Sequence, residues 1–324
     1  MRTIEELQEI AIKTIEQENF LASPKNLYEP IDYAMHQGGK RIRPLLALMA
    51  SELFSGDIEK AKPVAIAIEV LHNFTLLHDD IMDKSPLRRG KPTVYNKYDT
   101  SAAILSGDTM YSLACKYLLR SETKLIPDLM ECFTQGIIEV FHGQAYDMEF
   151  EERNDVRIEE YIEMIRLKTG ALLASALKLG AITALADKKD MDYLYNFGLN
   201  IGIAFQLQDD ILDCWSNLED FGKVTGTDIA DNKKTFLYLK SLELADKDDK
   251  EVLTKYFSST NFDKKEKEDA IKAIYHKLNL KQIAQQLMQE YNNKAMESLD
   301  KIGVDNQRKQ NLISFANKLM HRNK

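Results

Sequence analysis

Residues 77–83 read Leu-His-Asp-Asp-Ile-Met-Asp, and residues 207–213 repeat the pattern as Leu-Gln-Asp-Asp-Ile-Leu-Asp. Apolar residues with helical spacing precede each cluster, so both motifs are predicted to lie on helices. On a helix the first and third aspartates of a cluster are one turn apart, and the second falls within the same arc of about 100°. Each cluster therefore presents three carboxylates on one surface.

These carboxylates are expected to bind a metal. Each trio ends a stripe that faces the core, where like charges repel one another and are costly to desolvate. A divalent cation would neutralise them, and Mg²⁺ prefers hard oxygen ligands and commonly bridges to substrate phosphates. One acidic cluster alone is often a solvated helix face, but two in the same apolar context favour two metal surfaces that face each other. The predicted metal ligands are Asp79, Asp80, Asp83, Asp209, Asp210 and Asp213.

The composition predicts an all-α protein with a single domain over residues 1–324. Only 14 of the residues are Gly and 7 are Pro, and 44% are hydrophobic, which is enough for a sizeable core. No Pro/Gly/Ser-rich linker divides the chain, and the breaks near 38–39, 85–92 and 221–227 are typical of loops within a domain. From about Asp246 onward the pattern indicates solvated amphipathic helices without catalytic motifs.

Charge and targeting signals exclude several classes of protein. The formal net charge of -8 argues against nucleic acid as a partner. Three cysteines share no metal-ligand spacing and are expected to be reduced, as in a cytoplasmic protein. The N-terminus lacks the apolar run of a signal peptide. The most apolar stretch, 170–186, carries Lys178 near its middle, which favours a buried helix over a transmembrane segment.

Two basic segments supply the expected anion site. Residues 38–44 read Gly-Gly-Lys-Arg-Ile-Arg-Pro, which places cations at a glycine turn entering a helix. Residues 88–91 read Arg-Arg-Gly-Lys and directly follow the first aspartate cluster. Arginine pairs bidentately with phosphate oxygens, so these loops favour a metal-bound diphosphate.

In this ordered set the sequence resembles the trans-isoprenyl diphosphate synthases, the family that includes farnesyl and geranylgeranyl diphosphate synthases. The similarity runs roughly from Gly38 to Thr235 through GGKRIRP, HNFTLLHDDIMD, SPLRRG, GQAYD, LKTG, FQLQDDILD, FGKVTGTD and NKKT. The resemblance implies an isoprenoid-synthase bundle of ten or more helices around a deep cavity. It also implies a homodimer with three Mg²⁺ ions bound in catalysis.

Carried over residue by residue, the resemblance implies the functional side chains. The pocket for isopentenyl diphosphate comprises Lys40, Arg43, His72 and Arg89. The contacts to the allylic diphosphate are Arg88, Lys168, Lys223 and Lys233. Thr169 and Gln206 match positions that line the developing carbocation. Asp79, Asp80, Asp83 and Asp209 would bind magnesium, with Asp210 and Asp213 binding directly or through water.

The implied reaction is a head-to-tail trans condensation of isopentenyl diphosphate with an allylic diphosphate. Metal ions and basic side chains stabilise negative charge as the carbon-oxygen bond ionises. The isopentenyl double bond then attacks the allylic cation, and the departing diphosphate is the expected base for the proton that is lost. Closure of the Gly222 to Lys234 loop would keep water from the cation.

Product length is expected to depend on the residues before Asp79. Thr75 lies one turn below Asp79 and Leu71 one turn further, so both should face the growing chain, whereas Phe74 points to the flank. The family uses the residues four and five before the first aspartate as the floor. A bulky Phe74 favours a C15 or C20 product and the small Thr75 favours C20, although Phe74 is also compatible with an ordinary core position.

Three alternatives remain open from the sequence. Glu69 with His72 and Glu139 with His142 have the Glu-x-x-His spacing of a di-iron bundle, which leaves the aspartates and basic loops unexplained. A terpene cyclase would share the first aspartate cluster, but it has a different second motif and does not need Lys40 and Arg43. A non-catalytic partner subunit would be expected to lose metal ligands, and all six aspartates are present.

Overall fold

The computed structural model describes residues 1–216, 226–258 and 262–320. Within these ranges the regular secondary structure is helical apart from one short antiparallel pair of strands, so the predicted all-α class is confirmed. The elements in chain order are α1 (Ile4–Glu16), α2 (Lys25–Met35), α3 (Ile42–Leu53), α4 (Ile58–Met82), β1 (Leu87–Arg88), β2 (Lys91–Pro92), α5 (Val94–Lys97), α6 (Thr100–Leu118), a 3₁₀ turn (Thr123–Leu125), α7 (Ile126–Glu152), α8 (Ile158–Ile165), a π-helical turn (Arg166–Gly170), α9 (Ala171–Thr183), α10 (Lys188–Trp215), α11 (Thr227–Ala230), α12 (Phe236–Leu244), α13 (Lys247–Phe257), α14 (Lys264–Lys277), α15 (Leu280–Asp300) and α16 (Asn306–Met320).

Local sequence signals account for where several helices begin. The side chains of five N-cap residues each accept a hydrogen bond from a backbone amide of the first turn, which satisfies donors that have no helical partner: Thr3, Asp57, Asp99, Asp246 and Asp263. Pro44 lies in the first turn of α3, where its missing amide hydrogen costs no helical bond. Positive φ angles at Gly38 and Gly39 confirm the predicted glycine turn before α3.

The chain forms two compact units whose segments alternate along the sequence. The first comprises Met1–Gly136, Ser175–Tyr195 and Ile302–Leu312, and the second comprises Ile137–Ala174, Asn196–Lys301 and Ile313–Lys324. The first aspartate cluster belongs to the first unit and the second cluster to the second unit. The single-domain organisation and the facing arrangement of the two clusters stay predictions.

In the first unit, α4 is the central helix. Its residues 64–71 are all buried, among them Val64, Ile68 and Leu71. Helix α6 approaches α4 closely at Gly107, where an added Cβ would lie 2.3 Å from Nε2 of His78. Glycine at this position therefore allows α6 to support the end of α4 that carries the first cluster.

In the second unit, the core includes residues of α8, α10 and α12 to α15. Gly202 of α10 packs against Gly170, since a Cβ at Gly202 would lie 2.3 Å from the Gly170 Cα. Gly143 of α7 packs equally tightly on the backbone of Lys168. These contacts hold the π-helical turn next to α10, and such turns are frequent at functional sites.

Other expectations on the fold can be compared with the structure. The helices predicted before each aspartate cluster are confirmed as α4 and α10. Cys132 and Cys214 are buried free thiols and Cys115 is half-buried. Among the residues described, none of the helices combines the length and the apolarity that crossing a bilayer requires.

Candidate active site

The first aspartate cluster lies at the C-terminal end of α4. Asp79 and Asp80 belong to its last turn, and Asp83 is the C-cap, with a right-handed backbone conformation. Asp80 is only 3% exposed, whereas Asp83 is exposed. Carboxylates at this end of a helix face the negative pole of its dipole, so a cation beside them is favourable.

Arg88 is a cation beside Asp80. Its Nε donates to both carboxylate oxygens at 2.9 and 3.0 Å, and its second terminal nitrogen lies 2.7 Å from Oδ1. Left-handed backbone at Arg89 and Gly90 turns the hairpin between β1 and β2 and brings Arg88 back to α4. Burial raises the pKa of Asp80, and the bonds to Arg88 oppose that rise.

A second group of basic side chains surrounds the glycine turn. The Arg89 guanidinium donates to the Gly38 carbonyl. Gly39 has a φ of 125°, which residues with a side chain rarely adopt, and a Cβ there would also lie 2.6 to 2.8 Å from that guanidinium, so glycine is favoured at this position. Burial lowers the pKa of Arg43 to about 10, and its Nε is buried without a hydrogen-bond partner among the described residues. An unpaired buried donor of this kind is an expected feature of an anion pocket.

His72 completes this pocket as a neutral imidazole. Burial, followed by the charges of Arg43 and Arg89, lowers the pKa of His72 well below its usual value. The charges of Arg43 and Arg89 act on His72, so the structure places these three predicted pocket residues near one another. Lys40 is exposed at the start of the same turn.

A buried ion pair that the sequence did not predict lies next to this pocket. Arg41, with φ of 47°, is the N-cap of α3, and its guanidinium lies 2.7 Å from the Glu69 carboxylate and also donates to the Met35 carbonyl. Asn73 donates to the same Glu69 oxygen at 3.2 Å. The pair fixes the start of α3, which carries Arg43. Glu69 is thereby engaged with a cation other than a metal.

The second aspartate cluster lies on the last two turns of α10 and has different partners. Asp210 is buried and accepts hydrogen bonds from the Tyr161 hydroxyl at 2.5 Å and the Gln206 amide at 3.2 Å. Burial, together with the charge of Asp228, raises the pKa of Asp210 well above its usual value. Thr169 donates to Gln206 Oε1 at 3.2 Å, so the two residues predicted to line the cation are in contact.

Asp213 ties the cluster to the next helix. It accepts from the Thr227 hydroxyl at 2.7 Å, the Thr227 amide at 3.3 Å and the Asp228 amide at 3.0 Å, which caps α11. Asp228 received no role from the sequence, although it belongs to a quoted motif. Burial raises the pKa of Asp228 to about 7, with the charge of Asp213 as the next cause.

Three lysines surround the pocket next to this cluster. Lys168 lies 2.7 Å from the Asp147 carboxylate, and Lys233 lies 2.6 Å from Glu151 and 3.7 Å from Asp147. Burial would raise the pKa of Asp147, but the two lysines hold it below its usual value. Lys234 instead donates to backbone carbonyls at the end of α7.

One pocket brings most of the second set of predicted residues together. Its volume is approximately 160 Å³, and its lining includes Lys168, Thr169, Gln206, Asp210 and Lys233. Lys223 and the first part of the proposed Gly222 to Lys234 loop lie outside the described residues. Asp147 was not predicted, and neither was the buried Gln144, which lies one turn before it with an unpartnered amide within the described ranges. The GQAYD motif that contains both residues indicates by itself only the family.

The chain-length residues are all buried on α4. Phe74 is 4% exposed, and its ring packs on His78 and Tyr111 with centroids 4.8 and 5.9 Å away. Thr75 donates to the His72 carbonyl at 2.8 Å, and Leu71 is fully buried. Phe74 thus packs toward Tyr111 of α6.

The donor set can be compared with what Mg²⁺ requires. Within the described ranges no three His, Cys, Asp or Glu side chains are arranged to hold a metal by themselves. Mg²⁺ is usually bound by one or two carboxylates together with water and substrate phosphates, so a closed protein cage is not required. Carboxylates at the ends of α4 and α10 fit this ligand type.

Comparison with known proteins places these features in a wider group. The model of the family described as polyprenyl synthetase matches residues 24–278. A geranylgeranyl diphosphate synthase of Sulfolobus acidocaldarius is 41% identical over 282 residues, which are 85% of this chain and 84% of that protein. A geranylfarnesyl diphosphate synthase of Natronomonas pharaonis is 37% identical over 254 residues, 73% and 74% of the two chains.

Solved structures agree with the sequence comparison. A crystal structure of a geranylgeranyl pyrophosphate synthase superimposes with a TM-score of 0.95 at 38% identity, over 99% of both chains. A decaprenyl diphosphate synthase from Rhodobacter capsulatus reaches 0.89 at 25% identity, also over 99% of both chains. Proteins named for products of different length therefore share this fold.

Proposed function

This chain belongs to the polyprenyl synthetase family, and from that premise we propose that its main product is the C20 compound geranylgeranyl diphosphate. It is a trans-prenyltransferase that forms short-chain prenyl diphosphates, as its relatives do from isopentenyl and allylic diphosphates. The observation that carries the C20 proposal is the packing of Phe74, five residues before Asp79, on the rings of His78 and Tyr111. The resemblance implies that this side chain forms the floor of the cavity, and its packing on both rings would keep it there.

The first unit is proposed to bind isopentenyl diphosphate through Lys40, Arg43, His72 and Arg89. The unpaired Nε of Arg43 and the positive charge around His72 support this role, because both favour an anion at that point. Neutral His72 would contribute a hydrogen bond rather than charge. Glu69 keeps the nearby Arg41 paired, so Arg41 is not counted among the cations proposed to bind the ligand.

Arg88, Lys168 and Lys233 are proposed to bind the allylic diphosphate, together with Lys223. In the structure each of the first three already holds a carboxylate, at Asp80, Asp147 and Glu151 respectively. A diphosphate would exchange these partners for its own oxygens, which accept several charge-assisted hydrogen bonds. The lysines would then stabilise negative charge as the bond to the allylic carbon breaks.

Magnesium is the family's cofactor, and we propose three ions held by Asp79, Asp80, Asp83 and Asp209, with Asp210 and Asp213 directly or through water. When bound, the ions would withdraw negative charge from the leaving diphosphate. Arg88 must share or release Asp80 for that residue to become a ligand. The di-iron alternative is disfavoured because Glu69 pairs with Arg41, arginines surround His72, and Glu139 lies 3.6 Å from Arg166.

The chain's own residues supply the remaining steps. The Thr169 hydroxyl and the Gln206 amide are polar groups in an otherwise partly apolar pocket, and their dipoles would stabilise the allylic cation. Gln206 is held in place at both ends, by Thr169 and by Asp210. The departing diphosphate, retained by the lysines, would accept the proton that the product loses.

Product analysis tests the proposed function. The purified protein is incubated with Mg²⁺, isopentenyl diphosphate and each of the C5, C10 and C15 allylic primers, and the products are sized. A predominant C20 product is expected from every primer. The proposal would be overturned if none of the three primers were elongated.

Phe74→Ala is expected to shift the main product to C25 or longer at similar turnover, whereas Leu21→Ala, at an exposed site, should leave product length unchanged.

We further propose that the protein is a cytoplasmic homodimer. Ile138, Phe141 and Met148 are each roughly half exposed and recur with helical spacing on one face of α7. An exposed apolar stripe of this kind fits a protein partner. The buried free thiols of Cys132 and Cys214 suit a reducing compartment. Sedimentation should show a dimer that Phe141→Asp weakens, and a monomer in the unchanged protein would contradict the proposal.

A further inference from the structure

The segment that carries Lys233 depends on an unusual backbone conformation. Residue Asn232, between α11 and α12, has φ of 59°, in the left-handed region that Gly and Asn adopt most readily. Its amide donates to the Ile229 carbonyl at 3.3 Å, and the Lys233 amide donates to the Asp228 carbonyl at 2.9 Å. This turn directs Lys233 toward Glu151 and Asp147.

A lysine from the C-terminal part of the chain holds this turn. The Lys267 ammonium, on α14, donates to the side-chain oxygen of Asn232 and lies 3.4 Å from the Ala230 carbonyl. It also lies 5.1 Å from the centre of the Phe257 ring. The Asn232 side chain and the end of α11 are therefore both tied to one cation.

The position of Lys267 within α14 is costly for a charged residue. Lys267 is 3% exposed and shares its face of the helix with buried Ile271 and Ile274. Burial lowers the pKa of Lys267, as expected where the charged form is poorly solvated. An apolar residue would fill this place without that cost, so the presence of a buried amine is best explained by its contacts with the turn.

We propose that Lys267 is a positioning residue that holds Asn232 and thereby aims Lys233 into the pocket for the allylic diphosphate. The inference rests on the proposed role of Lys233. It assigns a part in substrate binding to a helix whose sequence shows no catalytic motif. Lys267 itself need not touch the substrate.

Steady-state kinetics with both substrates test this inference. Lys267→Met is expected to raise the KM for the allylic diphosphate about tenfold, as for loss of one hydrogen bond to a charged group. The KM for isopentenyl diphosphate should stay within about twofold, whereas general damage to the fold would affect both substrates. Lys267→Arg should recover part of the loss. The matched control is Lys265→Met, an exposed lysine of the same helix, which should behave as the unchanged protein.

A double-mutant cycle separates this inference from the proposed function. If Lys267 acts through Lys233, the variant with both Lys233→Ala and Lys267→Met should bind the allylic substrate no worse than Lys233→Ala alone. Two outcomes would overturn the inference but not the proposed role of Lys233. One is that the losses of the two single variants add up in the double variant, and the other is that the allylic KM is raised in Lys233→Ala but unchanged in Lys267→Met. An unchanged KM in Lys233→Ala would overturn the proposed role of Lys233 and the inference with it.

A second variant covers the case in which Lys267→Met does not fold. Asn232→Gly removes the side-chain acceptor but permits the left-handed backbone without strain. It should reproduce the selective rise in the allylic KM with a small change in melting temperature. An unchanged allylic KM in this variant would also overturn the inference.

Discussion

The aspartate clusters of α4 and α10 share one sequence pattern but are stabilised in different ways. The middle aspartate of the first cluster, Asp80, is paired with the Arg88 guanidinium, whereas that of the second, Asp210, accepts from the neutral donors Tyr161 and Gln206. Burial raises the pKa of both, and the Arg88 charge opposes the rise only at Asp80. Two similar motifs can therefore have different electrostatic surroundings, because the partners come from elsewhere in the chain.

The largest effects are expected from removing the first aspartate of either cluster. Asp79→Ala and Asp209→Ala should each reduce kcat by at least about a thousandfold, because each removes a proposed metal ligand that stabilises the leaving group. Initial rates over a range of Mg²⁺ concentrations would measure this, with circular dichroism as the control for folding. Normal turnover in Asp79→Ala would contradict the metal role, and loss in only one variant would show that the clusters are not equivalent.

Arg88→Met is expected to have the next largest effect. It removes a proposed contact to the allylic diphosphate and leaves Asp80 buried without its cation, so kcat/KM for the allylic substrate should fall about a hundredfold. Steady-state kinetics in which each substrate is varied at a saturating concentration of the other would measure the loss. An equal loss for isopentenyl diphosphate would indicate that Arg88 does not distinguish the two sites.

Tyr161→Phe removes a neutral hydrogen-bond donor from the second aspartate cluster, as Arg88→Met removes a cation from the first. Asp210 would lose one hydrogen bond, and a loss of about tenfold in kcat is expected, with a higher Mg²⁺ requirement because the buried carboxylate is harder to ionise. A Mg²⁺ titration of the rate would measure both quantities. If Tyr161→Phe reduced activity more than Arg88→Met does, the expected ranking of these two effects would be wrong.

The smallest expected effect is on stability as a function of pH. Because the folded state raises the pKa of Asp228 from 3.8 to about 7, the protonated carboxyl adds stability at low pH that is lost as the pH rises through about 7. In the presence of a metal chelator, the melting temperature should fall by a few degrees between pH 5 and 8. The melting temperature of Asp228→Asn should fall less over the same range. Calorimetry across this range would measure it, and an equally steep fall in the variant would contradict the assignment.

Much of each half of the candidate site could be predicted from local patterns. The one-turn spacing of Asp79 and Asp83 follows from the helical repeat, and the turn at Gly38-Gly39 follows from the conformations that glycine permits. By contrast, the role of Lys267 was not predicted, because its residue type contradicts the apolar pattern of α14. Local periodicity indicates which face of a helix is buried, but it does not identify the partner of a buried charge.

By itself the sequence determined the all-helical class, the two carboxylate surfaces, the basic turns and, through their order, the family. Three pairings follow from packing alone: Arg41 neutralises Glu69, Tyr161 holds Asp210 and Lys267 holds Asn232. These pairs are separated by 28, 49 and 35 positions along the chain. The physical reason is that helix formation depends on neighbours within a turn or two, whereas a buried polar group must be satisfied by whichever residue the packing brings to it.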